Sequence, residues 1–168
     1  MLILRDKTKK ILLCVLLLLV AAGLLLTRFV SPSGIREFNR YSVTDFGLGE
    51  RVDGIDSADD LADPPSGYEA FTDDRGSGLK STRSDTRYYF GEHGGRYCVT
   101  GFVSHDIHCS ALSISVGDDE LASRTLLLED GYHVTQGGYD RSTLSNGTVS
   151  VELGFTRGIV TSVAAFIL

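Results

Sequence analysis

Residues 11–26 read Ile-Leu-Leu-Cys-Val-Leu-Leu-Leu-Leu-Val-Ala-Ala-Gly-Leu-Leu-Leu, without one charged or strongly polar side chain. As a helix the run covers about 24 Å, and continuing to residue 30 brings it to the roughly 30 Å of a bilayer's hydrocarbon core. Arg28 stands near the far end, where its head can snorkel to the interface while its methylenes stay in the apolar layer. Arg5, Lys7, Lys9 and Lys10 precede the run, opposed only by Asp6, and clustered bases beside a span stay cytoplasmic. The expectation is a single-pass signal anchor over residues 11–30, with 1–10 in the cytoplasm and the rest of the chain outside. A cleaved signal peptide with its site near Val20-Ala21-Ala22-Gly23 is the alternative, although Leu24-Leu25-Leu26 carries the run beyond it. Cys14 stands too early in the run for a lipoprotein signal and reads as a small apolar residue.

The chain holds 22 acids and 16 bases, but five of the bases and only one acid lie in the first 30 residues. Beyond residue 30 there are therefore 21 acids against 11 bases, a net charge of −10. A surface this acidic repels phosphate backbones and anionic headgroups, so nucleic acid is not the expected partner. Two cysteines, Cys98 and Cys109, lie outside the anchor. Outside the cytoplasm a disulfide between them would close a loop of about 12 residues, worth roughly 3 kcal/mol. The alternative is two buried free thiols.

Residues 31–40 begin Ser-Pro-Ser-Gly and read as a linker. Alternation then predicts a short strand at 41–46, stopped by Gly47-Leu48-Gly49. Val52, Ile55, Ala58 and Leu61, three apart in an acidic stretch, predict a weak helix broken by Pro64-Pro65. A strand at 68–71 and a polar loop over 72–84 follow. Strands at 87–90 and 96–103 flank a turn at His93-Gly94-Gly95. Later, Leu112, Ile114 and Val116 alternate with serines. Asp118-Asp119-Glu120 suit a helix N-terminus, and Gly131 suits the left-handed residue that ends it. Four strand-like runs at 132–136, 139–145, 148–155 and 159–167 are divided by Gly137-Gly138, Asn146-Gly147 and Arg157-Gly158, which predicts a four-stranded meander.

The fold class expected is α+β: an N-terminal transmembrane helix, then an extracytoplasmic domain of antiparallel sheet with short helices. The two halves, 41–110 and 111–168, share an order of glycine, acidic helical stretch, Gly-Tyr (Gly67-Tyr68 and Gly131-Tyr132) and strands, offset by about 64 to 68 residues. They form a tandem helix-plus-meander repeat, or else one mixed domain whose glycines mark turns independently. This pattern over residues 45–168 resembles envelope modules of the BamE/SmpA type, and the tandem is similar to the β-lactamase inhibitory protein architecture. The resemblance implies a small module that binds another protein through its sheet or loops. Those proteins are lipid-anchored or secreted, so the apolar run departs from the pattern, and no binding residue carries over.

The residues that could carry chemistry form weaker patterns. His105, His108, Cys109, Cys98 and His93 could ligate zinc, or be loop histidines beside paired cysteines. Asp53, Asp56, Asp59, Asp60 and Asp63 lack the spacing and central Gly of a calcium loop. Ser77-Gly78-Leu79-Lys80 matches Ser-x-x-Lys formally but lacks its companion motifs, and Asp106, His108 and Ser110 do not define a triad. Asn146-Gly147-Thr148 is formally a glycosylation acceptor, yet reads first as a hairpin turn with positive φ at both central positions. Tyr88, Tyr89, Phe90 and Tyr97 form either a partner-binding face or core. No catalytic residue, metal ligand or cofactor is assigned. The function expected is a non-catalytic, membrane-anchored module that binds a protein or envelope component. The alternatives are a small extracytoplasmic hydrolase or metal-dependent enzyme, and an inhibitor secreted after signal cleavage.

Overall fold

The computed structural model describes residues 33–168. The expected cytoplasmic segment and signal anchor lie outside the described residues, among which no helix is long and apolar enough to cross a membrane. The described elements correct the expected fold class. Helix is limited to α1 (Ser33–Arg40), a single 3-10 turn at Asp59–Ala62, and α2 (Glu120–Glu129). The rest of the regular structure is antiparallel strand: β1 (Tyr68–Asp73), β2 (Gly76–Ser81), β3 (Thr86–His93), β4 (Arg96–Ser104), the short pair β5 (Ser110–Ala111) and β6 (Ile114–Ser115), β7 (His133–Gly137), β8 (Arg141–Ser145), β9 (Val149–Thr156) and β10 (Ile159–Ile167).

Eight strands form one sheet in the order β1-β2-β3-β4-β10-β9-β8-β7. The two halves of the chain thus do not build separate helix-plus-sheet units. Each contributes a four-stranded meander, and the meanders fuse where β10 pairs with β4, Val163 opposite Ser104 and Phe166 opposite Gly101. The helix expected in the first half is absent: Val52, Ile55 and Leu61 are buried, but from irregular chain and the 3-10 turn. The expected linker is instead α1, whose Ile35 and Phe38, three apart, are buried on one side. The expected loop over 72–84 contains β2, an Ser/Gly-rich strand held by Leu79, which is fully buried.

One face of the sheet is covered. A row of paired residues on that face, Leu79, Tyr88, Phe102, Ala165, Val151 and Leu144, crosses six strands and is buried throughout. Over it lie α1, residues 41–67, the β5–β6 pair and α2. The irregular stretch is pinned by hydrogen bonds. Asn39 bonds both the N–H and the carbonyl of Leu48 through its side chain. The Val99 N–H donates to Glu50 and its carbonyl accepts from Gly49, so this loop pairs with β4 beside β10. Phe46 packs 5.0 Å from the rings of both Tyr68 and Tyr88, and the Tyr88 hydroxyl accepts from the Asp45 N–H.

The turns follow local chemistry. Gly94-Gly95 and Arg157-Gly158 take positive φ at both positions, as two-residue hairpins require. At Asn146-Gly147 only Gly147 does, at +83°, because the loop has three residues and Asn146 Oδ1 accepts from the N–H groups of Thr148 and Val149. Asp119 caps α2 by accepting from the Ala122 N–H, and Gly131 ends it at φ +83°.

Ser142 on β8 is fully buried against this core, and its Oγ has no hydrogen-bond partner among the described residues. A buried hydroxyl left unpaired costs about 1–3 kcal/mol. Ser142→Ala is therefore expected to raise the urea midpoint by an amount equivalent to about 1 kcal/mol, with the slope of the transition unchanged.

Candidate functional site

The opposite face of the sheet carries no covering element. Its middle is one cross-strand row in which aromatic residues alternate with glycine: Phe71 on β1 opposite Gly78, Gly78 opposite Tyr89, Tyr89 opposite Gly101, Gly101 opposite Phe166. The glycines leave room for rings to meet across an intervening strand. Phe71 stacks edge-on to Tyr89 at 5.3 Å between centroids, and Tyr89 lies 5.7 Å from Phe166. A Cβ on Gly101 would collide with the Phe166 ring. Aromatic rings laid over strand glycines fix register as well as filling space.

Charged groups flank the rings. Arg75, in the turn between β1 and β2, holds its guanidinium 5.2 Å over Phe166 and pairs with Glu152 of β9 at 3.1 Å. On a flat sheet that turn and β9 would stand about 19 Å apart, four strand spacings. The ion pair forms because the sheet is bent, with the uncovered face concave. Arg87 lies 5.7 Å from the Phe71 ring and 3.4 Å from Asp73, and the Tyr89 hydroxyl donates to the same carboxylate at 2.9 Å. Burial pulls the Asp73 carboxyl upward. The Arg75 N–H, the Tyr89 hydroxyl and the Arg87 charge outweigh it and hold the group below its usual range. The Tyr89 hydroxyl is pushed up, first by burial and then by Asp73. Within the concavity lies a hollow of about 200 Å³. Gly154, Ser162 and Ala164 are among its lining residues, with Arg141 and His105 beside them.

The residues singled out in the sequence are dispersed by this geometry. Tyr88, Phe90 and Tyr97 face the covered side, Tyr88 in the core and Phe90 stacked on Tyr97 at 6.2 Å, so the four aromatics are not one binding face. Tyr89 alone of the four belongs to the concave face. Cys98 and Cys109 are both buried free thiols. Cys98 pairs with Gly91 across β3–β4, on the side of Tyr89, whereas Cys109 packs in the core on the covered side. The sheet thus separates them, which is why no disulfide forms. Burial pushes both thiols up.

His105 lies 3.6 Å from Asp85, and His108 is exposed. Among the described residues no three His, Cys, Asp or Glu side chains are grouped to hold a metal. Asp60 accepts from the N–H of Asp56 and from both the N–H and hydroxyl of Ser57, so it caps a turn; the Ser57 hydroxyl is the main cause that lowers its carboxyl. Ser77 and Lys80 lie on one strand three positions apart and so on opposite faces. Sequence reading missed Phe71, Arg75, Arg87, Arg141, Glu152 and Phe166. The available signal was the alternation of Glu69, Phe71 and Asp73, and the glycines at 78 and 101, but only register connects them.

Gly101→Ala is expected to destabilise the fold by about 1–3 kcal/mol through overpacking. Adding Phe166→Ala should recover part of that loss in a double-mutant cycle. In acid, the stabilisation from Asp73, whose native carboxyl titrates below its unfolded value near 3.9, should be complete above about pH 4 and vanish as pH falls through the lowered value. Asp73→Asn should flatten that limb of the stability profile. No family model, curated sequence or solved structure matches the chain.

Proposed function

We propose that this domain is a non-catalytic binding module working outside the cytoplasm, held at a membrane by the apolar run at residues 11–26, and that its concave sheet face docks a partner protein. The observation that carries the reading is that an eight-stranded sheet leaves one face uncovered and furnishes it with a ring cluster flanked by arginines. Tyr and Arg are the side chains most enriched where protein interfaces concentrate their binding energy. Charge distribution favours an acidic partner surface. Of 11 bases beyond residue 30, Lys80, Arg87, Arg96 and Arg141 stand on this face and Arg75 reaches over it, against the acids Glu69, Asp73 and Glu152, while the remaining surface is dominated by acids. A partner presenting carboxylates is steered to this face and repelled from the others.

Arg141, exposed at the rim, pairs with no carboxylate among the described residues and is the natural first contact. A photo-crosslinking residue placed at Thr143, on the concave face, is expected to trap one protein in intact cells. The same residue at Thr125, on the outer side of α2, should not. Arg141→Glu with Arg87→Glu should weaken reconstituted binding of that protein by about a hundredfold and lower its sensitivity to salt. Equal trapping from both positions, or binding indifferent to the reversals, would exclude this face as the docking site.

A further inference from the structure

The two edges of the sheet are built differently. At one end β7 is interrupted by a bulge at Thr135, where its register against β8 shifts between Val134 and Gln136. A bulged edge is a poor template for a further strand. At the other end β1 keeps unbroken register with β2 over all 6 of its residues, from Tyr68 opposite Ser81 to Asp73 opposite Gly76. It has neither the bulge nor the proline or lysine that commonly blunt an edge. Just before it, the Thr82 N–H donates to the Gly67 carbonyl. Bonded and non-bonded pairs alternate along an antiparallel ladder, so Glu69, Phe71 and Asp73 bond to β2 while the N–H and C=O groups of Ala70 and Thr72 turn outward. The Pro65 carbonyl takes the outward N–H of Tyr68, but Ala70 and Thr72, both exposed, have no backbone partner among the described residues outside that ladder.

Two further observations bear on what this edge accepts. Beside the outward groups lies a hollow of about 360 Å³, lined by Ala58, Leu61 and Ala62 of the 3-10 segment and by Ala70, Phe71 and Thr72 of β1. Ala70 stands opposite the buried Leu79 and so belongs to the covered face, the side on which Leu61 is buried. A residue added opposite Ala70 would exchange backbone hydrogen bonds with it and send its own side chain into the hollow. Second, the surroundings are acidic: Asp59 and Asp63 at the 3-10 turn and Asp74 just after β1 are exposed and take part in no ion pair between described residues. Two copies meeting through their β1 edges would bring these acids together, and the β7 edge of a second copy is bulged. A strand carrying basic side chains matches the edge in both backbone and charge.

We propose that the β1 edge captures an extended segment of a partner protein by strand addition, with an aliphatic side chain of the segment in the hollow opposite Ala70 and a Lys or Arg two positions to either side facing the acids of the 3-10 turn. The capture uses backbone groups that docking on the concave face does not, and it stands without that reading. The test is fluorescence anisotropy of an amidated Lys-Thr-Val-Thr-Lys peptide, labelled at its N-terminus, titrated with the full-length chain. Saturable binding is expected, at least about tenfold weaker for Glu-Thr-Val-Thr-Glu and for a peptide N-methylated at valine, which lacks the N–H that donates to the Ala70 carbonyl. Asp59→Lys with Asp63→Lys, both exposed positions, should reverse the preference between the lysine and glutamate peptides. Ala70→Pro should weaken the lysine peptide at least about tenfold with the melting temperature little changed, since an edge strand tolerates proline where the N–H faces outward. No saturable binding of the lysine peptide, equal affinity for the two charge types, or binding indifferent to the N-methyl group would overturn the proposal. Self-association of the chain that Ala70→Pro abolishes, without peptide binding, would assign the edge to a second copy and overturn it as well.

Discussion

The bend of the sheet rests on a row of rings laid over glycines. Phe71, Tyr89 and Phe166 sit on strands that are not neighbours, and they touch because Gly78 and Gly101, on the strands between, present no side chain. A Cβ at Gly101 would strike the Phe166 ring, and one at Gly78 would strike the backbone of Tyr88 on β3. The contact draws the two halves of the sheet toward one another, and the Arg75–Glu152 pair spans the concavity so formed. The covered face takes its shape from the same bend: its rows, closing on the convex side, fan outward and need bulky fillers such as Tyr88 and Phe102, both almost wholly buried.

That convex side is roofed mostly by chain without regular structure. Residues 41–67 hold their place through particular bonds, from Asn39 to Leu48, from Glu50 and Gly49 to Val99, and from the Asp45 N–H to the Tyr88 hydroxyl. Backbone groups laid over a core must find partners, and here they find them in side chains and in the exposed edge of β4 beside β10. Irregular cover of this kind carries no periodic signal. Asp45 serves twice, its carboxylate also accepting from the Tyr68 hydroxyl at 2.8 Å.

What the sequence made legible was what depends on near neighbours. The α2 helix, with Asp119 as its cap and Gly131 as its stop, and the strands between Gly137-Gly138, Asn146-Gly147 and Arg157-Gly158 are decided by residues within a few positions. The α+β expectation failed on what is decided at a distance. Val52, Ile55 and Leu61 have helical spacing but are buried from irregular chain, and the Ser/Gly-rich β2 is a strand because its Leu79 is buried opposite Tyr88 of β3. The aromatic run at 88–90 reads as one patch in sequence, yet alternation sends Tyr89 to the concave side and its neighbours into the core. Register puts Cys98 on the concave side, while Cys109, in the loop before β5, packs into the core, which spacing along the chain cannot reveal.

The strand order has a kinetic side. β10 follows every other strand in the chain, but it sits at the centre of the sheet, with β4 on one side and β9 on the other. Until residue 167 is available, the first meander has an open edge along β4 and the second an open edge along β9, and nothing joins them. The closing contacts are long-range, bringing Phe166 to Gly101 across 65 residues. Such a topology favours slow assembly, with both halves waiting as partly formed intermediates whose edges are open to wrong partners. A sheet built this way closes last at its centre, and the final strand of the chain acts as the latch that commits the whole sheet.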